Sequence, residues 1–205
     1  TIQRFPFDRA GQASAARAPR GSDWPVVYLI NSSTDIYIGE TTSFERRFRE
    51  HLVDKDKLKA GFTEIRFASD GTENKSAVLD YESNLIRLFS ADGKFKRVLN
   101  ANPGQSQGHE YLQRSTYVTN VQVLWDQLHA LRLTKEDYQT VRNSALYKFS
   151  PYTSLTPEQR TVMKETLEDC LESLLTGRKG GALLSGGAGT GKTLVAVKLV
   201  DTILN

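Results

Sequence analysis

Two short β-rich runs constrain this chain more than any other feature. Val26-Val27-Tyr28-Leu29-Ile30 and Asp35-Ile36-Tyr37-Ile38-Gly39 flank the polar stretch Asn31-Ser32-Ser33-Thr34, the pattern of a β-hairpin. With the turn centred on Ser32-Ser33, residues whose numbers sum to 65 pair, which sets Tyr28 opposite Tyr37 on one face. Thr42-Ser43-Phe44-Glu45 has capping-box spacing, and Phe44, Phe48 and Leu52 follow at helical intervals, so a helix is expected over 43–53. Residues 62–67 read as a third strand. Residues 74–89 read as a helix with Val78, Leu85, Ile86 and Phe89 on one face. The order β-β-α-β-α describes a small α+β unit.

Chemistry-bearing residues cluster on this unit. Arg47 and His51 are four apart and share a helical stripe, so a guanidinium and an imidazole project the same way. Glu82 lies four after Val78, three before Leu85 and four before Ile86, on the apolar stripe of its helix. An ionised carboxylate there is costly unless it is paired or holds a cation.

Taken together, Val26-Val27-Tyr28, Tyr37-Ile38-Gly39, Arg47 with His51, Glu82 and Asn100 resemble the GIY-YIG nuclease family in order and spacing, over about residues 25–110. The resemblance implies a three-stranded antiparallel sheet flanked by helices, cutting DNA phosphodiester bonds with one Mg²⁺ or Mn²⁺. It makes Glu82 the metal ligand, Arg47 the stabiliser of charge on the scissile phosphate, and either Tyr28 or Tyr37 the activator of water. His51 is then placed to draw off a tyrosine proton, and Asn100 to hold local structure or position the phosphate. Arg46, Arg47 and Arg49, with Lys94, Lys96 and Arg97, are expected to track phosphates.

A second motif lies far downstream. Gly186-Gly187-Ala188-Gly189-Thr190-Gly191-Lys192-Thr193 fits the P-loop pattern, between an expected strand over 182–185 and an expected helix over 193–204. In such a loop Gly186, Gly189 and Gly191 let backbone N–H groups wrap phosphates, Lys192 adds charge, and Thr193 can bind Mg²⁺. Upstream, Leu155-Thr156-Pro157-Glu158-Gln159 resembles the adenine-reading glutamine segment of superfamily-one helicase-like ATPases, so Gln159 is a candidate ATP contact. The same residues suit a capping box opening a helix that reaches about residue 175. Only 12 residues follow Thr193, too few for the remaining strands and a Walker-B acid. The expected organisation is therefore the N-terminal portion of a larger nuclease-ATPase. It comprises an arm over 1–24, a nuclease domain over 25–110, a helical linker over 111–154 with helices at 121–133 and 135–147, and the incomplete start of a P-loop α/β domain over 155–205. A catalytically inactive, nucleic-acid-binding GIY-YIG module attached to an NTP-driven partner is the alternative.

Composition narrows the setting. Of 205 residues, 27 are Lys or Arg and 24 Asp or Glu, so the net charge of +3 is too small for a generally basic nucleic-acid binder. No apolar run approaches the roughly 18 residues that span a bilayer, and the start of the chain carries no secretory pattern. The single cysteine, Cys170, excludes an intramolecular disulfide. A cytoplasmic protein that meets DNA and nucleotide, and no membrane, is expected.

Overall fold

A computed structural model describes residues 1–100, 114–148, 155–177 and 181–204. The chain forms two compact units, Thr1–Ser144 and Ala145–Asn205. In the first unit the elements are β1 (Ile2–Pro6), α1 (Arg9–Arg17), β2 (Val26–Asn31), β3 (Asp35–Thr41), α2 (Phe44–His51), α3 (Lys55–Lys59), β4 (Glu64–Ala68), α4 (Lys75–Asp92), β5 (Arg97–Val98), α5 (Arg114–Ala130) and α6 (Tyr138–Asn143). The second unit contains α7 (Ala145–Lys148), α8 (Pro157–Thr176) and α9 (Lys192–Leu204).

The α+β class holds, but the sheet is larger than three strands and is mixed. Its order is β1-β4-β2-β3-β5, with β4-β2-β3 antiparallel at the centre and β5 parallel to β3. β2 is buried at every position, as a strand covered on both faces must be. In the hairpin, Tyr28 pairs with Gly39 and Ile30 with Tyr37, so the paired numbers sum to 67 and the expected register is off by two. The turn explains the shift: Ser32 N–H bonds Asp35 O, and Ser32 Oγ accepts from the N–H groups of Thr34 and Asp35, which makes a longer loop. An even shift leaves both phenols on one face, with ring centroids 6.2 Å apart.

The segment read as an arm is part of the fold. β1 adds to the edge of β4, and Phe5 and Phe7 pack against Phe44, Phe67, Phe48 and Phe62. On α1, Ala15 is fully buried, and Gly21 O accepts from Glu45 N–H at the start of α2. That contact accompanies another correction. α2 starts after Ser43, whose side chain makes no capping bond, and Glu45 pairs with Arg49 and Gln12 instead of closing a capping box.

Helix boundaries differ where local bonds win. α5 begins at Arg114, ahead of the expected start at 121, and the expected 135–147 helix is capped by Asp137 and broken at Ser144. In the second unit, Thr156 and Gln159 form the expected capping box, with Pro157 in the first turn. Residues 182–185 form no strand; among the described residues of that unit no strand is available to pair with them. Residues 101–110 at the end of the expected nuclease domain, and 111–113 and 149–154 of the expected linker, lie outside the described residues.

Candidate functional site

An open cleft of about 790 Å³ is bordered by β3, α2, α3, α4 and the chain just after β5, with Tyr37, Glu40, Arg47, Lys57, Glu82 and Asn100 on its walls. The sheet and three helices thus gather residues that the sequence spreads from position 37 to position 100, whereas Tyr28 and His51 are buried and do not line the cleft.

Tyr28 is 1% exposed and His51 is 2% exposed. The Tyr28 hydroxyl lies 2.8 Å from His51 Nε2, and Arg47 Nε–H donates to the same oxygen at 3.3 Å. Burial pushes the Tyr28 phenol well above its usual range; the neighbouring Tyr37 adds to this and Arg47 opposes it. Burial, with help from Arg47 and Lys57, lowers His51 to about 4, so the imidazole is neutral at pH 7. Because Arg47 can only donate, the Tyr28 oxygen accepts from it, while the direction of the bond to His51 Nε2 follows the imidazole tautomer. The His51 bond to Tyr28 holds the phenol in place between the hairpin and α2.

Gly39 explains why the second run ends as it does. A Cβ at this position would lie 2.3 Å from the Tyr28 hydroxyl oxygen. The phenol lies directly across the glycine of the neighbouring strand, and only an absent side chain leaves it room.

Glu82 is half-buried and, among the described residues, has no hydrogen-bond or ion-pair partner. Burial and then the negative charge of Glu40 raise its pKa to about 7, while Lys75 and Arg47 pull it down. Glu40 is itself ion-paired with Lys75. Arg47 stays protonated: burial works against its charge, but the Glu50 carboxylate, 2.8 Å from Nη1, and the two phenols more than offset this.

Asn100 spends its amide on the backbone. Its Nδ2 donates to Ile38 O at 2.6 Å and its Oδ1 accepts from Ile38 N–H at 3.1 Å, continuing the β3–β5 pairing by one side chain. Of the two expected roles, local structure is the one these bonds serve. The basic clusters are largely neutralised as well: Arg46 pairs with Glu50, Arg49 with Glu45, and Arg97 bidentately with Asp35 at 2.8 and 2.7 Å.

The donor set suits a hard divalent cation. No cluster of three or more His, Cys, Asp or Glu side chains forms a metal cage among the described residues. Mg²⁺ commonly takes one or two carboxylates and fills its remaining positions with water and phosphate oxygens. The partnerless carboxylate of Glu82, in an open cleft beside Glu40, fits that pattern.

Sequence reasoning missed Lys57. It sits in Lys55-Asp56-Lys57-Leu58-Lys59, which reads as a solvated run, yet its Nζ lies 3.3 Å from the centre of the Tyr37 ring on the cleft wall. Nothing in the local pattern separates it from Lys55 and Lys59.

In the second unit the glycine loop precedes α9 and is exposed. Gly189 and Gly191 have φ of 76° and 81°, a left-handed backbone that favours glycine. Lys192 Nζ donates to the carbonyls of Gly186 and Gly187 at 2.8 and 2.7 Å. Gln159 Nε2 donates to Thr190 O at 3.0 Å, so the loop, Gln159 and Lys192 come together, and Thr193 lies beside them in the first turn of α9.

A mixed sheet that sets a phenol, an arginine and the Glu82 and Glu40 carboxylates about one cleft is a nuclease-type arrangement. Residues 25–96 match the family model of the GIY-YIG catalytic domain, a domain of nucleases that act on DNA. No curated protein and no solved structure matches the chain. In the first unit, no helix among the described residues is long and apolar enough to cross a membrane, and the same is true of the second.

Proposed function

We propose that the cleft hydrolyses DNA phosphodiester bonds with the help of a divalent cation. The observation that carries this reading is Glu82, a half-buried carboxylate that has no hydrogen-bond or ion-pair partner among the described residues and lines the same cleft as Arg47 and Tyr37. Such a group is expensive unless a cation completes it. A bound Mg²⁺ or Mn²⁺ would supply Lewis-acid polarisation of a phosphate oxygen.

The protein's own groups then divide the work. Glu82 holds the cation, with Glu40 close enough to share in it. Arg47, oriented by Tyr28 and Glu50, presents fixed positive charge to the phosphate as negative charge builds in the transition state. Tyr37 is the phenol we assign to the attacking water, because it lines the cleft whereas the Tyr28 hydroxyl is enclosed and bonded on two sides. Asn100 keeps β3 in place beneath Tyr37.

The decisive experiment is plasmid nicking with and without Mg²⁺. Glu82→Ala is expected to abolish nicking while circular dichroism stays native; undiminished nicking would remove the nuclease assignment. Wild-type protein that binds DNA but nicks with neither Mg²⁺ nor Mn²⁺ would favour a binding module instead.

The second unit supports a nucleotide-binding role. Its loop carries the P-loop residue pattern ahead of a helix, with Lys192 and Thr193 where phosphates and Mg²⁺ would be met. We assign ATP to this site, in a helicase-like or translocase ATPase joined to the nuclease and working in DNA processing, repair or defence.

A further inference from the structure

Lys57 is a cation without a counter-ion. Its ammonium lies 3.3 Å from the centre of the Tyr37 ring, and among the described residues no carboxylate comes within ion-pair distance of it. Of the two neighbouring acids, Asp54 and Asp56, Asp54 has one carboxylate oxygen occupied by the N–H groups of Asp56 and Lys57 at the start of α3. Lys57 is half-buried on the cleft wall, whereas Lys55 and Lys59 on the same short helix are exposed. Burial lowers its pKa to about 8, against the pull of Asp54. The neighbouring arginines have settled partners: Arg46 and Arg47 with Glu50, Arg49 with Glu45, Arg97 with Asp35. An aromatic face offsets only part of the cost of drawing an ammonium out of water. A cation left in this state is completed by an anion that enters the cleft.

We propose that Lys57 is a DNA-phosphate-binding residue of this cleft, its Nζ leaving the Tyr37 ring face to meet a backbone phosphate beside the one held by Arg47. The proposal rests on the nuclease reading for the identity of the anion. A flexible ammonium suits a phosphate that must be released after cutting, since it contacts as a point charge and not as a fixed fork.

The test reads binding without cleavage. In a Glu82→Gln background, the affinity for a fluorescein-labelled duplex is measured by anisotropy across a KCl series in chelator. Loss of one phosphate contact flattens the slope of log affinity against log salt by about 0.9. Lys57→Gln is expected to show that change, and Lys57→Arg to restore the slope, with circular dichroism confirming the fold of both. A slope unchanged in Lys57→Gln, or unrestored in Lys57→Arg, would overturn the assignment. The nicking result for Glu82→Ala is independent of this measurement, so the two readings fail separately.

Discussion

The Tyr28 hydroxyl shares a hydrogen bond with His51 Nε2 across 2.8 Å while accepting from Arg47 Nε, so one buried phenol links the hairpin to the helix that presents the cleft's guanidinium. A protonated His51 would put a second positive charge beside Arg47 in a buried place, which burial and the guanidinium both disfavour. Buried polar chains of this kind fix geometry, because every alternative arrangement strands a donor or an acceptor.

Acid stability follows from that neutrality. His51 has a folded pKa of about 4 against an ordinary value near 6.5, so between these values the unfolded chain binds the proton and the folded chain does not. The His51 contribution is therefore full above about pH 6.5 and is lost as pH falls toward 4, amounting to roughly 2 kcal/mol at about pH 5. Urea midpoints at neutral pH and at about pH 5 check this. Wild type is expected to lose more stability on acidification than His51→Gln, and parallel losses would contradict it.

The division between the two phenols is equally open to test. Tyr37→Phe should lower nicking by roughly 10²-fold or more, the usual scale for losing a proton-transfer group. Tyr28→Phe leaves Arg47 Nε–H and His51 Nε2 without their shared partner, so its cost should fall first on stability, about 1–3 kcal/mol. If Tyr28→Phe instead abolishes nicking at full thermal stability while Tyr37→Phe does not, the water-activating role passes to Tyr28.

Glu40 should set the pH at which the cleft works. Glu82 must shed its proton to hold a cation, and with its pKa pushed up to about 7 the nicking rate should rise with pH through that region. Glu40→Gln removes the adjacent negative charge and frees Lys75 from its ion pair, and both changes favour ionised Glu82. The acid limb is then expected to move to lower pH in a profile taken at a fixed Mg²⁺ concentration below saturation. A limb that stays in place while the Mg²⁺ requirement rises would make Glu40 a metal ligand instead of a neighbour that tunes Glu82.

How much of this was legible in the sequence differs residue by residue. Period-two and period-3.6 patterns say that Tyr28 shares a face with Tyr37, that Arg47 shares a stripe with His51, and that Glu82 lies on an apolar stripe, and a two-residue register error leaves the hairpin face unchanged; Asn100 and the roles of all these residues come only from the family resemblance. Residues 1–24 were misread because their burial depends on partners far along the chain. Phe5 and Phe7 find Phe44, Phe62 and Phe67 only when β1 pairs with β4, and Ala15 packs because a small side chain lets α1 lie close. Lys57 was invisible for the opposite reason: its neighbours in sequence are equally charged, and only tertiary contact with Tyr37 distinguishes it. The neutrality of His51 likewise comes from burial, which spacing does not encode.

Gly39 gives a sharp steric test. A methyl group there would meet the Tyr28 hydroxyl at 2.3 Å, and that phenol cannot retreat without abandoning both of its hydrogen bonds. Gly39→Ala is expected to cost about 1–3 kcal/mol in stability, the range for overpacking a fitted core. The variant should also lose nicking at temperatures where it remains folded, because Arg47 loses its anchor. Full activity in folded Gly39→Ala protein would show that Arg47 does not depend on Tyr28 for its position.

The glycine loop of the second unit carries the last prediction. Lys192 Nζ is bonded to the carbonyls of Gly186 and Gly187, interactions that an incoming phosphate would have to replace, so Lys192→Ala should abolish binding of a fluorescent ATP analogue. Gln159 is more informative. Its Oε1 accepts from Thr156 N–H in the capping box and its Nε2 donates to Thr190 O, so both ends of the amide brace α8 and the loop. A brace supports the phosphates of every nucleotide alike, whereas a base reader supports adenine. Gln159→Ala should therefore weaken ATP and GTP to the same extent in competition titrations; a loss confined to ATP would return Gln159 to reading the base, with its bond to Thr190 exchanged for one to adenine.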